Sequence, residues 1–249
     1  MAERTIVLRV RRQESPKSAP CWEEFELPFK PNHNVISMLM EIRRNPVTRA
    51  GKRTTPVTFE ANCLEEVCGA CTMVVNGRVR QACSAIADHL PQTVTIEPMS
   101  KFPLVRDLMV DRSRMFQALL RAKAWVPIDG TYSLGPGPRV DPEVAQEGYV
   151  YSRCMTCGCC LEACPQVNDH STFMGPAVIG QVYLMGLHPT SAMHHDDHLD
   201  AMMRVGGISE CGNAQNCVQV CPKEIPLTTA IARVGGQASR KWLRELLFK

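Results

Sequence analysis

The sequence predicts an α+β protein of two domains, a small mixed sheet with one covering helix over residues 1–103 and a mostly helical domain over residues 104–249. Alternating apolar and polar runs with an Asn-Gly turn indicate the sheet, and apolar residues at helical spacing indicate the second domain. The length of 249 residues and the hydrophobic content of 45% suit two domains with ordinary cores. Pro98 and Pro103 mark the expected boundary.

Local patterns place the elements of the first domain. Strands are predicted at residues 5–12 and 22–29, where apolar and polar residues nearly alternate. Asn34 is expected to cap a helix, because the apolar residues after it recur at intervals of three and four. Asn76-Gly77 separates two four-residue strands and is a strong signal for a tight hairpin turn, and a last strand is predicted at residues 93–97.

Helices dominate the predicted second domain. Residues 104–124 are rich in Leu, Met, Arg and Ala and are expected to form one long helix. Residues 135–138 predict a rigid loop, and further helices are expected at residues 177–187 and 227–234.

Composition excludes several classes of function. The net charge of +3 comes from 28 basic and 25 acidic residues that are mixed along the chain, so no nucleic-acid partner is expected. The chain lacks a secretory signal and any run of roughly 18 apolar residues, so membrane attachment is expected through a partner. Thirteen cysteines in a reducing compartment indicate metal or redox chemistry.

The first cysteine set has the spacing of plant-type ferredoxins, C-x4-C-x2-C with a distant fourth ligand. A hairpin at Asn76-Gly77 places Cys71 opposite Ala82 and therefore beside Cys83, within reach of one small cluster. We assign a 2Fe-2S centre here; a structural zinc site is the alternative, since four cysteines also suffice for zinc. The four ligands are Cys63, Cys68, Cys71 and Cys83.

Two later cysteine runs follow the bacterial ferredoxin pattern C-x2-C-x2-C-x3-C-P, but the second has Ala214 at its middle cysteine position. In two-cluster ferredoxins the fourth cysteine of each run ligates the other cluster. That exchange predicts four thiolates for a 4Fe-4S cluster, from Cys154, Cys157, Cys160 and Cys221. The other site keeps three, Cys164, Cys211 and Cys217, and alanine has no donor atom, so a 3Fe-4S cluster is expected. Cys21 and Cys159 remain as predicted structural residues.

With these motifs in this order, the sequence resembles the iron-sulfur subunits of succinate dehydrogenase and fumarate reductase. The resemblance implies a plant-type ferredoxin-like (β-grasp) domain followed by a bacterial-ferredoxin-like domain. It also implies an electron relay without catalytic residues of its own, from FAD on a flavoprotein subunit through the three clusters to a quinone. The quinone would bind at membrane-anchor subunits, with or without haem, at the cytoplasmic face of the cell membrane. Succinate oxidation and fumarate reduction both remain open.

The chain departs from the best-known members of this family near the expected quinone. Gln166 follows the first Cys-Pro where those members carry tryptophan nearby, and Gly212 replaces a histidine. The residues between the cysteines of both runs are more similar to those of the menaquinone-using Gram-positive branch, so menaquinone is the expected acceptor. Pro165, beside a predicted ligand of the terminal cluster, is a candidate for lining the quinone pocket.

Other readings stay open. A related thiol-dependent or soluble fumarate reductase shares the cluster order, and a zinc-stabilised interaction module can imitate C-x2-C pairs. The histidines and aspartates of residues 194–200 form a candidate metal site, although a solvated helix start explains them as well. The amphipathic C-terminal segment could meet a lipid surface, an anchor subunit or its own domain.

Overall fold

The computed structural model describes residues 4–127, 130, 135 and 137–248. The chain forms two compact units. Residues up to Arg112 together with Cys157–Glu162 form the first, and Ser113–Thr156 with the residues from Ala163 onwards form the second. The sequence predicted a boundary at residue 103 from two prolines. The compact units instead divide after Arg112, and the short segment Cys157–Glu162 belongs to the first unit although its neighbours in sequence belong to the second.

The first unit is built on a five-stranded mixed sheet in the order β2-β1-β5-β3-β4. Strand β1 pairs antiparallel with β2 and parallel with β5, while β3 pairs antiparallel with both β4 and β5. The predicted strands are confirmed, with the second shifted by one residue. The strands are β1 (Thr5–Arg12), β2 (Cys21–Pro28), β3 (Thr72–Val75), β4 (Arg78–Gln81) and β5 (Thr93–Glu97).

The predicted helix of this unit is confirmed as α1 (Val35–Arg44). Asn34 caps it in a capping box, in which its side chain accepts from Ser37 N at 2.9 Å and Ser37 Oγ accepts from Asn34 N at 3.0 Å. Each bond satisfies a backbone donor that the helix start leaves free. The helix buries five apolar residues in the core of the sheet domain: Val35, Ile36, Met38, Leu39 and Ile42.

The single long helix predicted over residues 104–124 is wrong. The structure has a hairpin, β6 (Leu104–Arg106) and β7 (Met109–Val110), followed by a shorter helix α2 (Ser113–Arg121). Asp107 occupies the turn with a positive φ of 48° and is 2% exposed. Its carboxylate accepts a hydrogen bond from Arg12 and from the backbone of Gln13 and Thr58. These long-range bonds outweigh the local helical propensity of the segment.

The remaining elements are mostly helical, as predicted. They are α3 (Pro142–Ser152), α4 (Cys159–Glu162), α5 (Pro176–Gly186), α6 (His195–Met203), α7 (Asn216–Gln219) and α8 (Leu227–Leu247). The α5 prediction was correct to within a residue at each end, whereas α8 continues well beyond the predicted residues 227–234. The predicted loop at residues 135–138 lies partly outside the described residues.

Helices α5 and α8 pack closely in the second unit. A Cβ at Gly180 of α5 would lie 2.9 Å from Leu227 Cδ2 of α8, so a larger residue at 180 would require the Leu227 side chain to shift. Within the part of the chain that the structure describes, no helix is both long and apolar enough to cross a membrane.

Candidate iron-sulfur centres

The hairpin of β3 and β4 brings Cys71 and Cys83 together as the sequence predicts. Val75 lies opposite Arg78, and the ladder continues until Ala82 N donates to Cys71 O at 3.1 Å. The thiols of Cys71 and Cys83 are hydrogen-bonded to each other, and both residues are buried. Burial is the main reason that the pKa of the Cys71 thiol rises to about 12. Iron overcomes such a rise because coordination deprotonates a thiol directly.

The loop that carries Cys63 and Cys68 wraps its backbone N–H groups around sulfur. The amides of Glu65, Val67 and Cys68 donate to Cys63 Sγ at 3.4, 3.3 and 3.3 Å. Together these donors lower the pKa of Cys63 to about 7, the Glu65 amide contributing most. The loop therefore stabilises a thiolate before any metal arrives.

The same loop also reaches the hairpin. Glu66 N donates to Cys83 Sγ at 3.3 Å, and Cys63 N donates to Cys68 Sγ at 3.5 Å. Positive φ angles at Leu64, Glu66 and Gly69 turn the amides inward. The four predicted cysteines thus face one site, and four sulfur ligands with surrounding N–H donors fit a 2Fe-2S cluster.

The segment Cys157–Glu162 belongs to the first unit and carries two predicted ligands of the second cluster, Cys157 and Cys160. A hydrogen bond with Cys159 is the main reason that the pKa of Cys157 falls to about 7, and the nearby Arg112 guanidinium acts in the same direction. The same bond, together with burial, raises the pKa of Cys159. The hydrogen bond between the two thiols therefore favours ionisation of Cys157 over that of Cys159.

The other two predicted ligands of the second cluster, Cys154 and Cys221, belong to the second unit. Cys154 N donates to Tyr151 O at 3.2 Å at the end of α3. Ile225 N donates to Cys221 Sγ at 3.4 Å, which is again a backbone donor directed at sulfur.

Three cysteines of the second unit surround one small pocket: Cys164, Cys211 and Cys217. Burial raises the pKa of Cys217 to about 11, and the neighbouring Cys164 and Cys211 add to the rise. Ala214 lines the same pocket and contributes only a methyl group. Asn216 Nδ2 donates to Ala163 O at 2.9 Å and so ties the two cysteine runs together. Three thiols and one position without a donor fit a 3Fe-4S cluster.

Pro165 lines this pocket as well, and so does Gln166, which the sequence pattern did not single out as a ligand-pocket residue. A Cβ on Gly212 would lie 2.5 Å from Gln166 Nε2. The Gln166 amide thus occupies the space that a side chain at residue 212 would need.

Sequence reasoning also missed Gln81 and Arg112. Gln81 is fully buried, with its side chain among Cys71, Thr72 and Cys159. Arg112 donates to the carbonyl oxygens of Gly69 and Ala70 in the cluster loop. No local pattern marks either residue, because their roles depend on contacts with distant parts of the chain.

The histidine and aspartate cluster near α6 forms ion pairs. Asp197 accepts from Lys123 Nζ at 2.6 Å and lies 3.2 Å from His194 Nδ1. Asp200 lies 3.0 Å from Lys241 Nζ. Among the described residues, no group of three or more His, Cys, Asp or Glu side chains is arranged to hold a single metal ion.

The fold and its donor sets define an iron-sulfur electron-transfer protein. A 2Fe-2S iron-sulfur cluster binding domain family matches residues 7–117, and a 4Fe-4S dicluster domain family matches residues 150–225.

Sequence identity to two characterised proteins identifies the family more narrowly. It is 60% identical over 230 residues to the succinate dehydrogenase iron-sulfur subunit of Bacillus subtilis, which covers 92% of this chain and 91% of the relative. The fumarate reductase iron-sulfur subunit of Wolinella succinogenes is 28% identical over 234 residues, 92% of this chain and 95% of the relative. This chain belongs to the family of succinate dehydrogenase and fumarate reductase iron-sulfur subunits, and its function is electron transfer through iron-sulfur clusters.

The fold agrees with that of a solved structure. A chain of the Mycobacterium smegmatis Sdh1 complex in the apo form superimposes with a TM-score of 0.79 at 21% identity, covering 96% of this chain and 98% of that one.

Proposed function

We propose that this subunit carries electrons from FAD on a flavoprotein subunit through 2Fe-2S, 4Fe-4S and 3Fe-4S clusters to a quinone at a membrane anchor. The observation that carries the proposal is the division of eleven cysteines into two sets of four and one set of three. The clusters, when bound, accept and release single electrons. The chain itself holds them, excludes water and sets their potentials through hydrogen bonds to sulfur.

Cys63, Cys68, Cys71 and Cys83 would hold the 2Fe-2S cluster. Two of these residues come from a loop rich in N–H donors and two from a buried hairpin end. N–H groups directed at sulfur stabilise added negative charge, so they favour the reduced cluster. Arg112 supports the loop by binding the carbonyls of Gly69 and Ala70.

Cys154, Cys157, Cys160 and Cys221 would hold the 4Fe-4S cluster. Support comes from the full C-x2-C-x2-C-x3-C-P run and from the lowered pKa of Cys157. Cys159 is excluded from this set in the proposal, because it is fully buried and bonded to Gln81 and Cys157.

Cys164, Cys211 and Cys217 would hold the 3Fe-4S cluster. The pocket that these residues share also contains Ala214, and an iron without a thiolate at that corner would be labile. The zinc alternative is weakened here, since structural zinc sites are almost always closed by four ligands.

Menaquinone is the proposed acceptor beside this third site. Pro165 remains a candidate for lining the quinone pocket, and Gln166 adds a side-chain amide that can donate to a quinone carbonyl. The amide lies where Gly212 leaves room for it. A purified complex that reduces only high-potential quinones and ignores menaquinone analogues would contradict this choice.

An apolar groove continues from the third site along α8 and suits the anchor subunits. The groove has a volume of about 850 Å³ and includes Cys211, Ile231, Trp242 and Leu243. Beyond it the helix exposes Leu246, Leu247 and Phe248. Burying such residues against a membrane partner would stabilise the assembly and hold this subunit at the cytoplasmic face of the membrane.

The test is low-temperature EPR on the anaerobically purified complex, with iron and acid-labile sulfide measured. Three distinct spectra are expected, one of them from an oxidised 3Fe-4S centre. Cys217→Ser should remove that signal and leave the 2Fe-2S signal, while Cys21→Ser should change neither because Cys21 is exposed and belongs to none of the three sets. Little sulfide, or a 3Fe-4S signal that survives Cys217→Ser, would disprove the assignment.

Co-purification from membranes tests the partners. A flavoprotein and a quinone-reactive membrane protein should accompany the tagged subunit, with or without haem. A soluble fumarate reductase would instead yield the subunit without a membrane protein.

A further inference from the structure

Gln81 is a fully buried polar residue at the end of β4, directly opposite Thr72 of β3. Its side chain makes three polar contacts. Oε1 lies 3.5 Å from Cys71 Sγ, and Nε2 lies 2.7 Å from Thr72 Oγ1 and 3.5 Å from Cys159 Sγ. One amide thus contacts both a predicted 2Fe-2S ligand and Cys159, the non-ligand cysteine of the run from Cys154 to Cys164.

Iron binding changes which atoms can donate at this amide. A free Cys71 thiol donates to Gln81 Oε1, but an iron-bound Cys71 has no S–H and can only accept. Rotation of the amide by half a turn exchanges its oxygen and nitrogen without moving any other atom. Nε2 then donates to the Cys71 thiolate, and Oε1 faces Thr72 and Cys159.

Both new neighbours of Oε1 can supply a proton. Cys159 keeps its S–H because it is not a ligand in the proposed scheme. This S–H turns from the Cys157 sulfur to Oε1, and the Cys157 sulfur still accepts from the backbone amide of Cys159. The Thr72 hydroxyl donates to Gly69 O at 2.9 Å, and Arg112 Nη1 also donates to that carbonyl at 2.7 Å. Thr72 can therefore turn its O–H toward Gln81 without leaving Gly69 O unsatisfied. Every polar atom of the group stays paired, as burial requires.

We propose that Gln81 donates a hydrogen bond to the iron-bound sulfur of Cys71, and that Cys159 holds the amide in this orientation. Gln81 thereby raises the reduction potential of the 2Fe-2S cluster. Cys159 is a positioning residue, so a residue of the run from Cys154 to Cys164 affects the reduction potential of the 2Fe-2S cluster. The proposal rests on the assignment of Cys71 to the 2Fe-2S site.

The first experiment is a potentiometric EPR titration of the purified complex carrying Gln81→Met, which keeps the length of the side chain and removes the amide. Loss of one N–H donor should make reduction of the 2Fe-2S cluster about tenfold less favourable, a shift of about 59 mV to lower potential. The potential of the 3Fe-4S centre should stay unchanged and serves as an internal reference. Gln92→Met, at an exposed position of the same unit, is the matched control.

Cys159 variants test the positioning role. Cys159→Ala should keep the 4Fe-4S signal and lower the 2Fe-2S potential in the same direction as Gln81→Met. Cys159→Ser should restore it, since a hydroxyl can donate to Oε1 as the thiol does. If all clusters assemble and neither Gln81→Met nor Cys159→Ala moves the 2Fe-2S potential, the proposal is wrong.

A measurement on the unaltered subunit tests the same hydrogen bond without any substitution, so it remains available if a variant fails to fold. With ¹⁵N placed in glutamine side chains, pulsed EPR of the reduced 2Fe-2S cluster should detect hyperfine coupling to one amide nitrogen. Absence of that coupling overturns the Gln81 proposal alone. Absence of the 2Fe-2S spectrum itself, or its survival unchanged in Cys71→Ser, would overturn the ligand assignment.

Discussion

Arg12 and Asp107 form a buried ion pair that joins the first strand to the β6–β7 hairpin. Arg12 Nε donates to Asp107 Oδ1 at 3.0 Å, and Nη2 donates to Oδ2 at 3.3 Å. Gln13 N and Thr58 N donate to the same carboxylate at 3.1 and 2.9 Å. The Asp107 carboxylate thus binds one edge of the guanidinium and two backbone amides, while Glu23 and Thr55 bind the rest of the guanidinium.

Replacing Asp107 by alanine should strongly destabilise the first unit. The change leaves Gln13 N, Thr58 N and one edge of the Arg12 guanidinium without their acceptor, while Glu23 still pairs with Arg12. Each buried donor left without a partner costs about 1–3 kcal/mol. Chemical denaturation monitored by circular dichroism measures the loss in free energy of unfolding. Arg49→Ala is the control, because its pairs with Glu24 and Glu26 are exposed and are worth about 0–1 kcal/mol. Equal losses in the two variants would contradict the role given to Asp107.

A thiol at residue 214 should convert the third site. Ala214→Cys completes the C-x2-C-x2-C-x3-C-P run and offers a fourth thiolate beside Cys164, Cys211 and Cys217. The oxidised 3Fe-4S EPR signal should disappear and a second 4Fe-4S signal should appear on reduction. Ala214→Ser, which adds similar bulk without a thiolate, should keep the 3Fe-4S signal. Retention of that signal in Ala214→Cys would count against the three-ligand site.

Lys241 should stabilise the second unit in a pH-dependent way. Its ammonium lies 3.0 Å from Asp200 and 3.1 Å from Glu245, and the bond to Asp200 is the main reason that its pKa is raised. A lysine whose pKa is higher in the folded state stabilises the fold below its unfolded pKa, and this contribution disappears as the pH rises through the raised value. Lys241→Met should therefore lower the unfolding temperature at neutral pH.

The pH profile provides the check on Lys241. The difference in unfolding temperature between the unaltered chain and Lys241→Met should shrink as the pH rises beyond the ordinary lysine pKa. A difference that stays constant with pH would indicate a packing effect of the side chain.

The exposed apolar face of α8 should be needed for membrane association. Trp242→Ser with Leu246→Ser removes two residues that are 56% and 61% exposed, so the fold itself should change little. Cell fractionation should find the variant subunit in the soluble fraction with its 2Fe-2S signal intact. Leu120→Ser, at an equally exposed leucine of α2, should remain with the membranes. Membrane retention of the double variant would point to another docking surface.

Much of the fold follows from short-range chemistry. The Asn34 cap, the Asn76-Gly77 turn and the strand periodicity act over a few residues, and the structure confirms all three. The helix predicted over residues 104–124 failed for the opposite reason. The buried bonds of Asp107 with Arg12 and Thr58 bridge distant parts of the chain, and a local propensity contains no information about them.

The sequence by itself determined the family and the expected division of thiolates among the clusters. Cysteine motifs are defined by residue type and spacing along the chain, so they can be recognised without a structure. The missing cysteine at Ala214 can likewise be recognised from the sequence alone. Only the tertiary structure decided that Gln81 lies between Cys71 and Cys159 and that Gln166 lies over Gly212. Those neighbours meet through folding of segments far apart in the chain, where burial and hydrogen-bond satisfaction select the partners.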